Sequence, residues 1–214
     1  MTDKLSVYNG ALGHLGARSI ASLSEARESR RVLDWAWARG IVDRALAAGM
    51  WDWAARSVMV DYSESIEPAF GLARAFNKPE DHVRTLAVCS DEFFKTAILN
   101  YQNEGDYWYA DEDTIYVRYV SNGASYGADY GKWPPNFTAY VELLLAADCA
   151  KKITGGRSDG ETLREQARDM LTTAKNLDAM EGPSLQKPLG SWTRARYGGG
   201  SNRDDRGSRT NLIG

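Results

Sequence analysis

The hydrophobic pattern along the chain changes period twice. Near the start, Leu5, Tyr8, Leu12 and Leu15 recur at three- and four-residue intervals, which stacks them on one face of a first helix that Gly16 is placed to end. Ser22 and Glu25 then stand three apart, the spacing of a capping box, and predict the start of a second helix. That helix is expected to run to about Gly49, with Leu33, Trp37, Ile41, Ala45 and Ala48 as its apolar row. Helical spacing returns after Pro134-Pro135, a pair suited to a first turn whose N–H groups have no helical acceptor. Residues 137–153 are apolar on nearly every face, which predicts the most buried helix. A last helix is expected from near Gly160, with Leu163, Ala167, Met170, Ala174 and Leu177 as its stripe and Gly182-Pro183 as its stop.

Between these ends the period shortens. Residues 113–120 are rich in β-branched and aromatic side chains and predict a strand, with Tyr107-Trp108-Tyr109 as its hairpin partner across a turn at 110–113. Residues 83–89 predict another strand, and 94–99 a weaker one. The expected fold is therefore mainly α: a four-helix bundle from residues 1–56 and 133–182, a small antiparallel β region inserted over 57–132, and an extended C-terminal tail over 183–214.

Charge separates that tail from the rest. It carries Lys187, Arg194, Arg196, Arg203, Arg206 and Arg209 against Asp204 and Asp205, a balance of +4. With -3 for all 214 residues, residues 1–182 carry -7. An acidic body repels nucleic acid at long range, while a basic tail seeks an acidic partner. The tail's polar, glycine-rich composition does not support a core of its own. Trp192 and Tyr197 stand out in it as anchors for a partner surface, with Arg194 and Arg196 between them.

Composition narrows the class further. Hydrophobic residues make up 43% and aromatics 11%, ordinary for a folded domain, and no run approaches the ~20 apolar residues of a membrane span. The Met1-Thr2-Asp3-Lys4 start lacks the basic-then-apolar plan of a signal peptide, so synthesis in a reducing cytoplasm is expected. Cys89 and Cys149 do not make a disulfide framework.

Candidate chemistry is sparse. His14 and His82 have no second ligand at metal spacing. Asp111, Glu112 and Asp113 lack the alternation and distal glutamate of a calcium loop and read as a solvated turn. Gly123, Gly127 and Gly131 precede no Gly-Lys-Ser/Thr and read as a flexible loop. No nucleophile elbow occurs, so the expectation is a non-enzyme with no metal and no cofactor. Of the tryptophans, Trp37 is expected in the core, Trp35 is divided between core and subunit interface, and Trp51-Asp52-Trp53 is expected to pin the exit of the second helix.

The order of these features resembles the head-to-tail adaptor family of tailed bacteriophages, the group that includes tail tubular protein A. The resemblance runs over most of residues 3–197: Ala11-Leu12-Gly13-His14-Leu15-Gly16 with Ile20, then Ser24-Glu25-Ala26 and Trp51-Asp52-Trp53-Ala54. Pro79-Glu80-Asp81-His82-Val83-Arg84, Tyr116-Val117-Arg118-Tyr119-Val120 and Pro134-Pro135-Asn136-Phe137 follow, then Leu144-Leu145-Ala146-Ala147-Asp148-Cys149-Ala150. Asn77-Lys78 departs from the apolar residue expected before Pro79, and the chain beyond Tyr197 is longer than the family minimum.

The resemblance implies a virion protein at the head–tail junction, in a dodecameric ring below the portal with double-stranded DNA passing through its lumen. It implies that the C-terminal segment, with Trp192, Arg194, Arg196 and Tyr197, grips the portal protein, and that the β region meets a nozzle or tail-tube protein. Trp35 is the candidate for contact between subunits. The alternatives are another ring of the same junction, such as a stopper or tail terminator, and a tail-associated hydrolase.

Overall fold

A computed structural model describes residues 2–68, 70–155 and 157–181, without the side chains of 157–159. The chain divides into two compact units, Met1–Ala179 and Met180–Gly214. Of the second unit, Met180 and Glu181 are described, as the last residues of a helix.

Among the described residues the protein has five α-helices and two three-stranded antiparallel sheets, so it is a mixed α/β fold. The expected mainly-α four-helix bundle body is incorrect, for two physical reasons. The first lies in the predicted second helix. No helix begins at the Ser22–Glu25 spacing, because Glu25 accepts instead from the Ala21 N–H at 2.8 Å. Helix α2 spans Glu28–Ala38 and stops where Gly40 takes φ 74, a left-handed conformation that glycine adopts without a Cβ clash. The chain restarts as the short α3, Ile41–Ala47. A true capping box closes α1, Lys4–His14, where Asp3 accepts from the Ser6 amide and Ser6 accepts from the Asp3 amide.

The second reason is that a sheet shares the helical core. α1, α2 and α3 all pack on α4, Pro135–Ile153, whose start at Pro134-Pro135 is as the sequence predicts. Around α4 lie Val7, Tyr8, Leu12, Leu33, Ile41 and Leu46, and also Ala54 and Val120, which belong to the β region and its approach. α5, Arg157–Glu181, adds Leu163, Ala167 and Ala174 to the same core.

The strands are β1 (Ala55–Asp61), β2 (Arg74–Asn77), β3 (His82–Cys89), β4 (Gln102–Glu104), β5 (Tyr107–Ala110) and β6 (Thr114–Ser121). One sheet has the order β1-β6-β3, the other β2-β5-β4. The expected hairpin between 107–109 and 113–120 does not form. Those segments are consecutive, but the Asp111–Asp113 turn passes the chain from one sheet to the other, so β5 pairs with β2 and β4 while β6 pairs with β1 and β3. Residues 94–99 form no strand; they contribute one bridge, Cys89 to Ala97. Alternation along β6 explains the arrangement. Ile115, Val117 and Tyr119 enter a second cluster with Phe76, Val88 and Trp108, between the two sheets, while Val120 joins the helical core.

Candidate functional site

Helix α2 positions a surface of unusual composition. Leu33 and Ala36 face the core, so the four-residue spacing of Arg31, Trp35 and Arg39 sets these three on the outward side. The C-terminal end of α4 brings Lys152 alongside, next to the exposed Lys151. The Lys152 Nζ lies 3.7 Å from the centroid of the Trp35 ring and the Arg39 guanidinium carbon 4.5 Å from it. An ammonium and a guanidinium at these distances are held by the ring's quadrupole, each by about 0.5–1 kcal/mol at an exposed site. Trp35 nonetheless stays 45% exposed. On the neighbouring flank Arg30 is ion-paired with Asp34, which also accepts from the Tyr8 hydroxyl at 2.8 Å and lies 3.6 Å from Lys4. The open charge of this surface therefore comes from Arg31, Arg39, Lys151 and Lys152, with Glu28 one turn earlier.

A second surface forms at one end of the β region. The registers place Asp61 opposite Thr114, Cys89 opposite Tyr116, Arg74 opposite Ala110 and Gln102 opposite Tyr109. The β1–β2, β3–β4 and β5–β6 connections consequently emerge together. They carry Phe70 at 91%, Leu99 at 92% and Phe93 at 69% exposure. Glu64, Glu67, Glu92, Asp111, Glu112 and Asp113 surround them at the surface. Large apolar side chains grouped and rimmed by charge mark a contact surface more than a solvent surface. The loop backbones are pinned: Asp111 accepts from the Ala73 amide at 2.9 Å, Arg74 meets Asp113 at 2.8 Å, and Asp91 accepts from the Lys95 and Thr96 amides. Those amide bonds hold the Asp91 carboxyl below its usual range. The carboxylates read from sequence as a solvated turn thus also tie the loops together.

The opposite end of the β region is a closed polar knot. Asp81 accepts from Arg56 at 2.8 Å, Tyr119 at 2.8 Å and Ser121 at 2.5 Å, linking β1 and β6 to the start of β3. Burial alone would raise the Asp81 carboxyl, but the hydrogen bonds from Ser121, Arg56 and Tyr119 outweigh it and hold it low. His82, beside it, packs its ring on Trp108 and Tyr119, and burial with the nearby Lys78 charge pushes its pKa down. Its Nε2 lies 3.0 Å from the Thr85 hydroxyl, which accepts from Trp108 Nε1 at 2.8 Å. The glycine loop that follows β6 is packed, not free. A Cβ on Gly127 would fall 2.4 Å from the Ser121 carbonyl oxygen and 2.7 Å from Leu46.

The remaining candidates have structural surroundings. His14 lines an open cleft of about 300 Å3 with Leu15, Thr154, Thr162, Leu163 and Gln166. The Cys149 thiol donates to the Val32 carbonyl at 3.8 Å, and burial pushes it up to about 12. Both cysteines are buried and unbridged. Among the described residues no group of three or more His, Cys, Asp or Glu is placed to hold a metal ion, and no helix is long and apolar enough to cross a membrane. Trp37 is half-buried against Tyr8 and Tyr130, and Trp51 is buried with its Nε1 donating to the Ala45 carbonyl.

Sequence reading singled out Trp35 and did not single out Phe70, Phe93, Leu99 or Lys152. Phe70 and Phe93 are apolar residues in segments with neither helical nor strand period, which is the available signal, whereas Leu99 ends the segment that reads as a weak strand. Trp192, Arg194, Arg196 and Tyr197, the expected portal-binding residues, lie outside the described residues. No protein-family model matches the chain, and no curated protein matches it.

Proposed function

We propose that this chain is a structural ring subunit of the head–tail junction of a tailed phage, an adaptor between portal protein and tail protein that passes double-stranded DNA without reading its sequence. The observation that carries the reading is the β-region end, where Phe70 on the β1–β2 connection and Phe93 and Leu99 on the β3–β4 connection stand exposed, on loops that hydrogen bonds and an ion pair hold in place. A rigid apolar tip with a charged rim suits docking to another protein, with little ordering entropy to pay on contact. In the adaptor reading this tip meets the nozzle or tail-tube protein. The order of sequence features described above supports the same assignment. So does the acidic balance of residues 1–182, since a lumen without strong attraction for phosphate lets DNA slide.

The reading is tested by localisation. Virions carrying a labelled copy of the chain, imaged by electron microscopy, are expected to show the label as one band between head and tail. Label elsewhere on the particle, or virions assembled without the protein, overturns it. A chain ending at Gly182 tests the portal grip: if it still assembles onto isolated portals, residues 183–214 are not the gripping segment.

A further inference from the structure

We infer that the Arg31–Trp35–Arg39 surface of α2, with Lys151 and Lys152, docks against the Glu161–Glu165–Asp169 row of α5 in a second copy of this chain. The inference rests on the ring reading above and names the faces that would make the ring contact.

The two faces match in spacing and differ in sign. Arg31, Trp35 and Arg39 follow one another at four-residue intervals, and so do Glu161, Glu165 and Asp169. Each step of four residues advances ~6 Å along a helix, so both rows extend over ~12 Å. Leu163, Ala167 and Ala174 hold α5 to the core, which turns the acidic row outward; all three residues are exposed, with Arg164 and Arg168 on the adjacent flank. Glu161 already has an interaction of its own, so Glu165 and Asp169 carry the contact. On the other face, Trp35 supplies an aromatic anchor already fixed between Lys152 and Arg39. An exposed tryptophan held by two cations has the composition of an interface centre, and carboxylates are what the cations would meet.

The basic face sits on a body whose residues 1–182 carry -7, so a DNA duplex approaching it is repelled by the surroundings. A second copy of the chain carries the complementary row at the same spacing. Because the basic face and the acidic row are different surfaces, every copy offers one of each. Head-to-tail repetition of such a contact closes into a ring, whereas reciprocal use of both contacts by one pair closes a dimer.

A charge swap tests this in the full chain. One variant carries Arg31→Glu and Arg39→Glu, the other Glu165→Arg and Asp169→Arg; all four positions are exposed, and circular dichroism checks that both variants fold. Sedimentation velocity at low salt reads association. Each variant alone places like charges across the contact and is expected to associate at least about tenfold more weakly than the unaltered chain. An equimolar mixture is expected to regain association, because the altered face of the first variant meets the altered row of the second, and the unaltered face of the second meets the unaltered row of the first, both with opposite sign.

Recovery in the mixture as rings sustains both the contact and the ring reading. Recovery as dimers sustains the contact and overturns the ring. Unaltered and variant chains that form the same rings overturn this choice of faces and leave the ring reading standing. Failure of both the unaltered chain and the mixture to associate overturns the contact. Loss of binding to a labelled DNA duplex in the first variant, with association unchanged, reassigns the basic face to nucleic acid.

Discussion

Phe137 and Leu99 are both large apolar residues, but they occupy opposite settings. Phe137 is 1% exposed, with the rings of Trp51, Trp53 and Trp133 at centroid distances of 5.0, 4.8 and 5.0 Å. Leu99 is 92% exposed on a β-region connection. Around Phe137 two of the three indole N–H groups are satisfied internally: Trp133 Nε1 donates to the Gly127 carbonyl at 2.8 Å and Trp51 Nε1 to that of Ala45 at 3.1 Å, while Trp53 Nε1 is buried without a hydrogen-bond partner among the described residues. At the β tip Asp91 and Asp111 take up loop amides while the apolar side chains are left outside. The contrast separates where the fold is stabilised from where another protein can be met.

The largest expected effect breaks the helical side of that comparison. Phe137→Ala removes the ring on which three tryptophans converge, and is expected to cost about 3–5 kcal/mol in denaturant unfolding. Gly127→Ala comes next, at about 1–3 kcal/mol, because the new Cβ meets a backbone oxygen and a buried leucine that cannot both retreat. A cost near zero for Gly127→Ala would mean that the loop is as free as its composition suggests.

Asp81→Asn probes the knot that closes the other end of the β region, and is expected to cost about 1–3 kcal/mol at neutral pH. Its pH dependence has a definite sign. The folded carboxyl is held below its unfolded value, so its contribution is present above the ordinary carboxylate pKa of about 4 and is lost as pH falls through the folded pKa. The gap between unaltered and variant chains should therefore narrow in acid, which thermal melts across pH would read.

Glu142 supplies the opposite sign and a smaller effect. Its carboxyl sits on α4 against Gly10 of α1, where an added Cβ would lie 2.2 Å from its carboxyl carbon. Burial raises its pKa, so the folded state favours the proton, and the stabilisation it gives in acid is lost as pH rises through the folded pKa. Glu142→Gln is expected to raise the melting temperature at neutral pH, with the difference closing in acid.

The sequence disclosed these regions unequally. α1, α4, β3 and β6 were legible because each shows its own period over enough residues. The hairpin partner of β6 was misread because adjacency in sequence is a good guide to pairing only when the turn keeps the chain in one sheet, and Asp111–Asp113 does not. The break at Gly40 was missed because the apolar row reads through it without interruption, while the deciding quantity is a backbone φ. Ser22 and Glu25 have capping-box spacing, but spacing alone does not show which amide Glu25 will take. Of the surface residues, Trp35 was legible by type, whereas Lys152 reaches it from more than a hundred positions away and no local pattern records that.

The smallest stability effect is expected where the functional effect should be largest. Phe70→Ser and Leu99→Ser remove apolar surface that is already in water, so each is expected to change unfolding free energy by no more than about 0.5 kcal/mol. If the tip is a docking surface, the paired variant should still load onto heads, because nothing in the helical core has changed, but should fail to recruit tails. Counting tailed particles by electron microscopy separates this from simple misfolding, which would remove the protein from heads as well. Full tail recruitment by the paired variant would return Phe70 and Leu99 to ordinary surface residues and leave the tip without a partner-binding role.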